Sequence, residues 1–118
     1  MHEKWHGVHA VILTPFKDDE QLDERALRQH IRFLLDEGGV HGIIPTGSTG
    51  EFASLSEEER KRVVDLTIDE VAGEVPVVVG SAANGTGRTI MYARYAEQAG
   101  ADGVMIVPPY YCQPDGRE

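Results

Sequence analysis

Apolar residues in this chain fall into four short, nearly continuous runs, separated by longer stretches in which apolar and polar residues are mixed. The runs occupy residues 8–14, 40–45, 75–79 and 103–107. Runs of this length with little polar alternation are typical of strands buried on both faces, as in a parallel sheet. The pattern therefore predicts four parallel β-strands.

The stretches between the runs follow the helical period. From Asp23, apolar side chains recur at intervals of three and four residues until Gly38 and Gly39 stop the pattern. A similar pattern ends at Gly100. The predicted inward-facing residues are Ala26, Leu27, Ile31, Leu34 and Leu35 for the first helix, and Ile90, Ala93, Ala96 and Ala99 for the third.

The second helix carries a start signal of its own. Ser56 is followed three residues later by Glu59, the spacing of a capping box in which each side chain bonds the backbone of the other residue. Gly73 closes the pattern. The predicted inward-facing residues are Val63, Val64, Thr67, Ile68 and Val71.

The resulting order, β-α-β-α-β-α-β, indicates an α/β fold with units of about 30 residues, the length of a crossover unit. This order fits either a doubly wound sheet or half of a (β/α)8 barrel. No Gly-x-Gly-x-x-Gly follows a predicted strand, which disfavours a dinucleotide-binding fold. With 118 residues and no linker or low-complexity segment, residues 1–118 are predicted to form a single domain without a second one.

The net charge of −9 argues against nucleic acid or anionic membranes as partners, since both attract basic patches. The single cysteine, Cys112, excludes an internal disulfide and is compatible with a reducing cytoplasm. We find no signal peptide or membrane-spanning run, so a cytoplasmic location is expected. The clustered basic residues are expected on solvated helix faces among acids: Arg25, Arg28, Arg32, Arg60, Lys61 and Arg62.

The candidate chemistry lies in the loop after the second run, which reads Gly47-Ser48-Thr49-Gly50-Glu51. Glycines allow tight turns and close approach to a ligand, and the two hydroxyls with nearby backbone N–H groups form a cradle for a carboxylate or phosphate. Glu51 is the only acid at the predicted carboxyl ends of the strands, so a carboxylate pair is not supported. The histidine spacing matches no standard metal site, and no cofactor is expected.

Three motifs occur in order: Thr14-Pro15-Phe16, the loop of Gly47 to Glu51, and Pro109-Tyr110-Tyr111. Together they resemble the amino-terminal part of the dihydrodipicolinate synthase / N-acetylneuraminate lyase family of Schiff-base aldolases. The resemblance runs from about Val8 to the last residue. It implies the amino-terminal half of a (β/α)8 TIM barrel, with four parallel strands and three helices.

The resemblance also implies roles for individual residues. Ser48 matches the hydroxyl that passes protons between two tyrosines, and Ser48 with Thr49 matches the pair that holds the carboxylate of pyruvate. Tyr111 matches a catalytic tyrosine that reaches into the site of a neighbouring subunit. Gly47, Gly50 and Glu51 are expected to support the loop, with Glu51 accepting N–H groups at a helix start or bracing the loop.

By the same resemblance, the complete enzyme condenses or cleaves pyruvate and an aldehyde, and it is a homo-oligomer, commonly a tetramer. Its imine-forming lysine lies on a later strand. None of Lys4, Lys17 and Lys61 has the apolar strand setting that a neutral amine requires. The chain is therefore expected to be a fragment that is inactive alone.

Two other functions stay open from the residues themselves. One is a small α/β module that binds an anion through the loop without catalysis. The other is a non-catalytic assembly partner that supplies Tyr111 to another subunit.

Overall fold

The computed structural model describes residues 4–109 and residue 115. Tyr110 and Tyr111 lie outside the described residues. Within them, no helix has the length and apolar character needed to cross a membrane. The elements are β1 (His9–Val11), α1 (Glu24–Asp36), β2 (Gly42–Ile44), a 3-10 helix (Phe52–Ser54), α2 (Glu57–Val71), β3 (Val78–Gly80), α3 (Thr86–Ala99) and β4 (Gly103–Met105).

The strands are parallel and lie side by side in chain order. β1 pairs with β2, and β3 pairs with β4. A parallel bridge between Ile43 and Val77, with the Gly80 N–H donating to the Pro45 carbonyl at 2.9 Å, joins β2 to β3. A doubly wound sheet reverses its strand order at a switch point, whereas a barrel does not. The order of the described strands is therefore that of a partial barrel, which resolves the alternative that the element pattern left open.

The starts of α1 and α2 follow local signals in the sequence. The Asp23 carboxylate accepts from the Ala26 N–H at 2.9 Å and caps α1. At α2 both capping-box bonds form: the Glu59 N–H donates to Ser56 Oγ at 3.1 Å, and the Ser56 N–H donates to Glu59 Oε2 at 2.7 Å. The predicted capping box is confirmed.

The core lies between the three helices and one face of the sheet. Leu27 and Ile31 of α1 are fully buried, as the stripe predicted. Ile90, predicted to face inward, is instead 46% exposed, so that prediction is wrong. Ile90 borders a groove with Val104 of β4 at the edge of the described sheet, where no further strand or helix of the described chain covers it.

Arg60 also departs from its prediction. We expected it on a solvated face, but it is 5% exposed, because α2 directs this turn beneath the carboxyl end of β3, where backbone carbonyls accept from the guanidinium. The other helix cations whose ion pairs are described do face acids: Arg28 with Asp69 and Glu70, Arg32 with Asp36, Glu70 and Glu74, Arg62 with Glu24, and Lys61 with Glu57.

Candidate functional site

The candidate loop, residues 46–51, leaves the carboxyl end of β2 through a strained residue. Thr46 has φ +55° and is 1% exposed. A left-handed backbone is unusual for a β-branched side chain and persists only where the surrounding structure holds it. After this turn Ser48 and Thr49 are exposed, whereas Gly47 and Gly50 are buried. The loop thus presents its two hydroxyl residues to solvent on a buried glycine base.

Both neighbouring strands hold the loop. Thr14, after β1, donates its hydroxyl to the Gly50 carbonyl at 2.7 Å. Thr46 Oγ1 lies 2.8 Å from the Gly80 carbonyl oxygen at the end of β3, and 2.7 Å from that of Pro45. One hydroxyl proton serves one of these acceptors at a time. The ends of three strands therefore meet at this loop.

Close packing explains the two glycines of the loop. A Cβ on Gly47 would lie 2.6 Å from Val11 Cγ1, and one on Gly50 would lie 3.0 Å from the Ile12 carbonyl oxygen. Glycine at these positions lets the loop rest directly on β1 and the residue that follows it.

Glu51 does not cap the helix that follows it. It stands at the N-cap of the 3-10 helix with φ +58°, and its side chain makes no capping hydrogen bond. Side-chain caps use an extended backbone at this position, which the left-handed conformation of Glu51 does not provide. The expected role as acceptor at a helix start is therefore wrong; Glu51 contributes through its backbone, donating its N–H to the Ser48 carbonyl at 3.0 Å.

A cavity of about 360 Å³ opens beside Ser48, a volume suited to a small molecule. Ser48, Glu51, Phe52 and Ala53 line one side, and Val107, beyond β4, lines the other. The cavity lies at the carboxyl ends of the strands, where barrel enzymes place their chemistry. Tyr111, predicted at this end, lies outside the described residues.

The lysines are placed elsewhere. Lys4 Nζ lies 2.7 Å from Asp102 Oδ1, at the amino-terminal ends of the strands, and Lys61 Nζ lies 2.7 Å from Glu57 Oε1 on α2. Among the described residues that line the cavity beside Ser48, none is a lysine. Nor do the described residues bring three or more His, Cys, Asp or Glu side chains together as metal ligands.

A half-buried histidine lies next to the residues that hold the loop. His30 Nε2 of α1 accepts from the Leu13 N–H at 3.2 Å, next to Thr14, and burial lowers the pKa of His30. The folded state therefore binds a proton at His30 less readily than the unfolded chain. We expect the free energy of unfolding to be highest above about pH 6.5, the ordinary histidine value, and to fall as the pH decreases below it.

Urea unfolding at about pH 7.5 and 5.5 tests this expectation in the wild type and in His30→Gln, since these values bracket the ordinary histidine pKa. Comparing the pH-dependent change in the free energy of unfolding between the two proteins cancels the contribution of the other histidines. A smaller fall in stability on acidification is expected for His30→Gln. An identical fall in both proteins would exclude His30 as a source.

Sequence reasoning located the loop but missed the residues that hold it. Thr14 belongs to the motif Thr14-Pro15-Phe16, but its hydrogen bond to Gly50 could not be predicted, because it depends on β1 lying next to β2. The burial of Arg60 was not predicted because its neighbours in the sequence are charged, which suggests a solvated helix face. One signal was available: Arg60 shares the helical spacing of Val63, Val64 and Thr67, all of them buried.

The consecutive parallel strands, the single helix layer and the cavity at the carboxyl ends define a partial (β/α) barrel. The sequence model of the Dihydrodipicolinate synthetase family matches residues 4–118, and the chain belongs to this family.

Among its relatives, 4-hydroxy-tetrahydrodipicolinate synthase of Methanosphaerula palustris is 46% identical over 113 residues, which are 94% of this chain and 38% of that protein. A putative dihydrodipicolinate synthetase from Pseudomonas aeruginosa superposes with a TM-score of 0.90 at 44% identity, covering 93% of this chain and 38% of that one. YagE, a prophage protein of the dihydrodipicolinic acid synthase family from E. coli K12 solved in complex with pyruvate, gives a TM-score of 0.89 at 37% identity over 94% of this chain and 37% of its own.

The chain thus spans well under half the length of the relatives it matches, and it corresponds to their amino-terminal part.

Proposed function

We propose that these residues form the amino-terminal part of a longer, pyruvate-handling Schiff-base lyase. We call that longer lyase the complete protein. The observation that carries the proposal is the exposed pair Ser48 and Thr49, presented by a loop that three strand ends hold beside the cavity. The family supports an aldolase-type lyase, and the pyruvate bound to YagE supports the substrate.

In this proposal, Ser48 and Thr49 hold the pyruvate carboxylate. Both side chains are exposed and Ser48 lines the cavity, and hydroxyl and backbone N–H donors bind a carboxylate without needing to ionise. Ser48 also relays protons together with Tyr111, which a neighbouring subunit of a homo-oligomer supplies. A hydroxyl suits a relay because it donates and accepts at the same oxygen.

The imine requires a neutral lysine amine that attacks the keto carbon of pyruvate, with loss of water. Lys4 and Lys61 each lie 2.7 Å from a carboxylate oxygen. The hydrogen bond to Glu57 raises the pKa of Lys61, which favours its charged form. Lys17 is exposed. We infer that the reacting lysine lies outside residues 1–118 and that the chain alone forms no imine.

Borohydride trapping tests this function. The complete protein and residues 1–118 are each incubated with pyruvate and borohydride, and the products are mapped by mass spectrometry. We expect one reduced pyruvate adduct, on a lysine beyond residue 118, and none on residues 1–118 alone. Absence of any adduct would contradict the lyase, and an adduct on Lys4, Lys17 or Lys61 would contradict the placement of the lysine.

A second candidate is a carboxylate-binding module without catalysis. It is favoured by the completeness of the candidate loop within this chain and by the position of the described lysines away from the cavity. Saturable binding of pyruvate to the complete protein without a trapped adduct would support this candidate over the lyase.

A further inference from the structure

We propose that Arg60 is a positioning residue for the candidate loop. From α2, Arg60 reaches the carboxyl end of β3 and donates from Nη1 to the Ala82 carbonyl at 2.8 Å and from Nη2 to the Gly80 carbonyl at 3.1 Å. Its side chain is nearly fully buried. Burying a guanidinium is costly unless its donors are satisfied, so these bonds define where the segment of residues 80–82 lies.

The Gly80 carbonyl connects Arg60 to the start of the loop. The same oxygen lies 2.8 Å from Thr46 Oγ1, and the Gly80 N–H donates to the Pro45 carbonyl. Thr46 is the strained residue that turns the chain into the loop. Arg60 thus holds in place the Gly80 carbonyl oxygen, to which the Thr46 side chain of this turn hydrogen-bonds.

The aromatic ring of Phe52 connects Arg60 to the other end of the loop. Arg60 Cζ lies 5.3 Å from the centroid of the Phe52 ring and 3.7 Å from that of Tyr92, within the range of cation–π contacts. Phe52 follows the loop directly, and its N–H lies 3.4 Å from the Gly47 carbonyl oxygen. Arg60 therefore holds the loop at its entry, through Gly80, and at its exit, through Phe52.

The planar guanidinium is required for this arrangement. It donates in two directions and stacks on Tyr92 at the same time, which a lysine ammonium does not reproduce. Loosening either end would displace Ser48 from the cavity edge, together with the neighbouring Thr49. The consequence for pyruvate rests on the proposed function, whereas the consequence for the loop does not.

Amide hydrogen exchange and steady-state kinetics on the complete protein test the proposal in Arg60→Met and Arg60→Lys. Arg62→Met is the matched control, since Arg62 is on the same helix but is half exposed and pairs with Glu24. In Arg60→Met we expect exchange at Glu51, Phe52 and Gly80 to rise roughly tenfold or more relative to the α1 amides, because hydrogen bonds from a charged donor are lost. The pyruvate KM should rise by a similar factor with a smaller change in kcat.

Arg60→Lys should fall between the wild type and Arg60→Met, and Arg62→Met should match the wild type at the loop. A uniform rise in exchange that includes α1 in both Arg60 variants would show a general structural role and overturn the proposal. Unchanged exchange at the loop would also overturn it. If the wild type forms no pyruvate adduct, the proposed function fails, and the exchange result still decides the role of Arg60.

Discussion

A Gly80→Ala substitution is expected to lower the free energy of unfolding by about 3 kcal/mol, the upper part of the usual range for overpacking a buried site. The added Cβ would overlap the carbonyl oxygen of Thr46 and lie 2.6 Å from its carbonyl carbon and 3.0 Å from the Gly47 nitrogen. All three atoms belong to the backbone of an already strained turn, so a side-chain movement does not relieve the contact.

Urea unfolding followed by the fluorescence of Trp5, the one tryptophan of the sequence, measures this effect. Gly87→Ala is the matched control, because Gly87 lies within α3 and an added Cβ there meets no atom within 4 Å. Helix propensity predicts that Gly87→Ala is neutral or stabilising by up to about 1 kcal/mol. Equal unfolding midpoints for Gly80→Ala and the wild type would show that the close contact at β3 is not maintained in solution.

The second large effect is expected at the candidate site. Under the proposed function, Ser48→Ala should lower kcat/KM for pyruvate on the order of 100-fold in the complete protein, since it removes a positioned hydroxyl from both carboxylate binding and proton relay. Ser48 is exposed, so the substitution should leave the unfolding midpoint almost unchanged. This combination separates a chemical role from a structural one.

Two further variants sharpen the test. Ser48→Thr keeps the hydroxyl and is expected to retain most of the activity. Ser54→Ala removes an exposed hydroxyl from the neighbouring 3-10 helix. Ser54 is not among the residues that line the cavity, so this variant should behave as the wild type. Full activity in Ser48→Ala would remove this hydroxyl from the mechanism.

The local features of the fold were predictable because their causes are local. The capping box at Ser56 involves groups three residues apart, and the first predicted stripe follows the turn of a single helix. The glycines on either side of Ser48 and Thr49 are likewise visible in the sequence, and they permit the tight turn of the loop. Glu51 failed as a predicted acceptor because its left-handed backbone results from the packing of the whole loop.

Ile90 and Arg60 each lie in the environment opposite to the one that their residue type suggests. Apolar Ile90 is 46% exposed and charged Arg60 is 5% exposed. The hydrophobicity of a side chain determines the free energy that its burial would gain or cost. Whether the side chain is buried depends on the element that packs next to it. For Arg60 that element is the carboxyl end of β3, whose carbonyls offset the cost of burial.

The amino-acid sequence by itself determined the order of strands and helices, the starts of α1 and α2 and the placing of two hydroxyl residues between glycines, because periodicity, caps and glycines act over a few residues. Only the tertiary structure decided that the strands follow one another as 1-2-3-4, that Thr14 and Gly80 hold the candidate loop, and that Arg60 lies beneath it. These contacts join residues 20 to 36 positions apart, and their partners are set by which strand ends meet in the barrel.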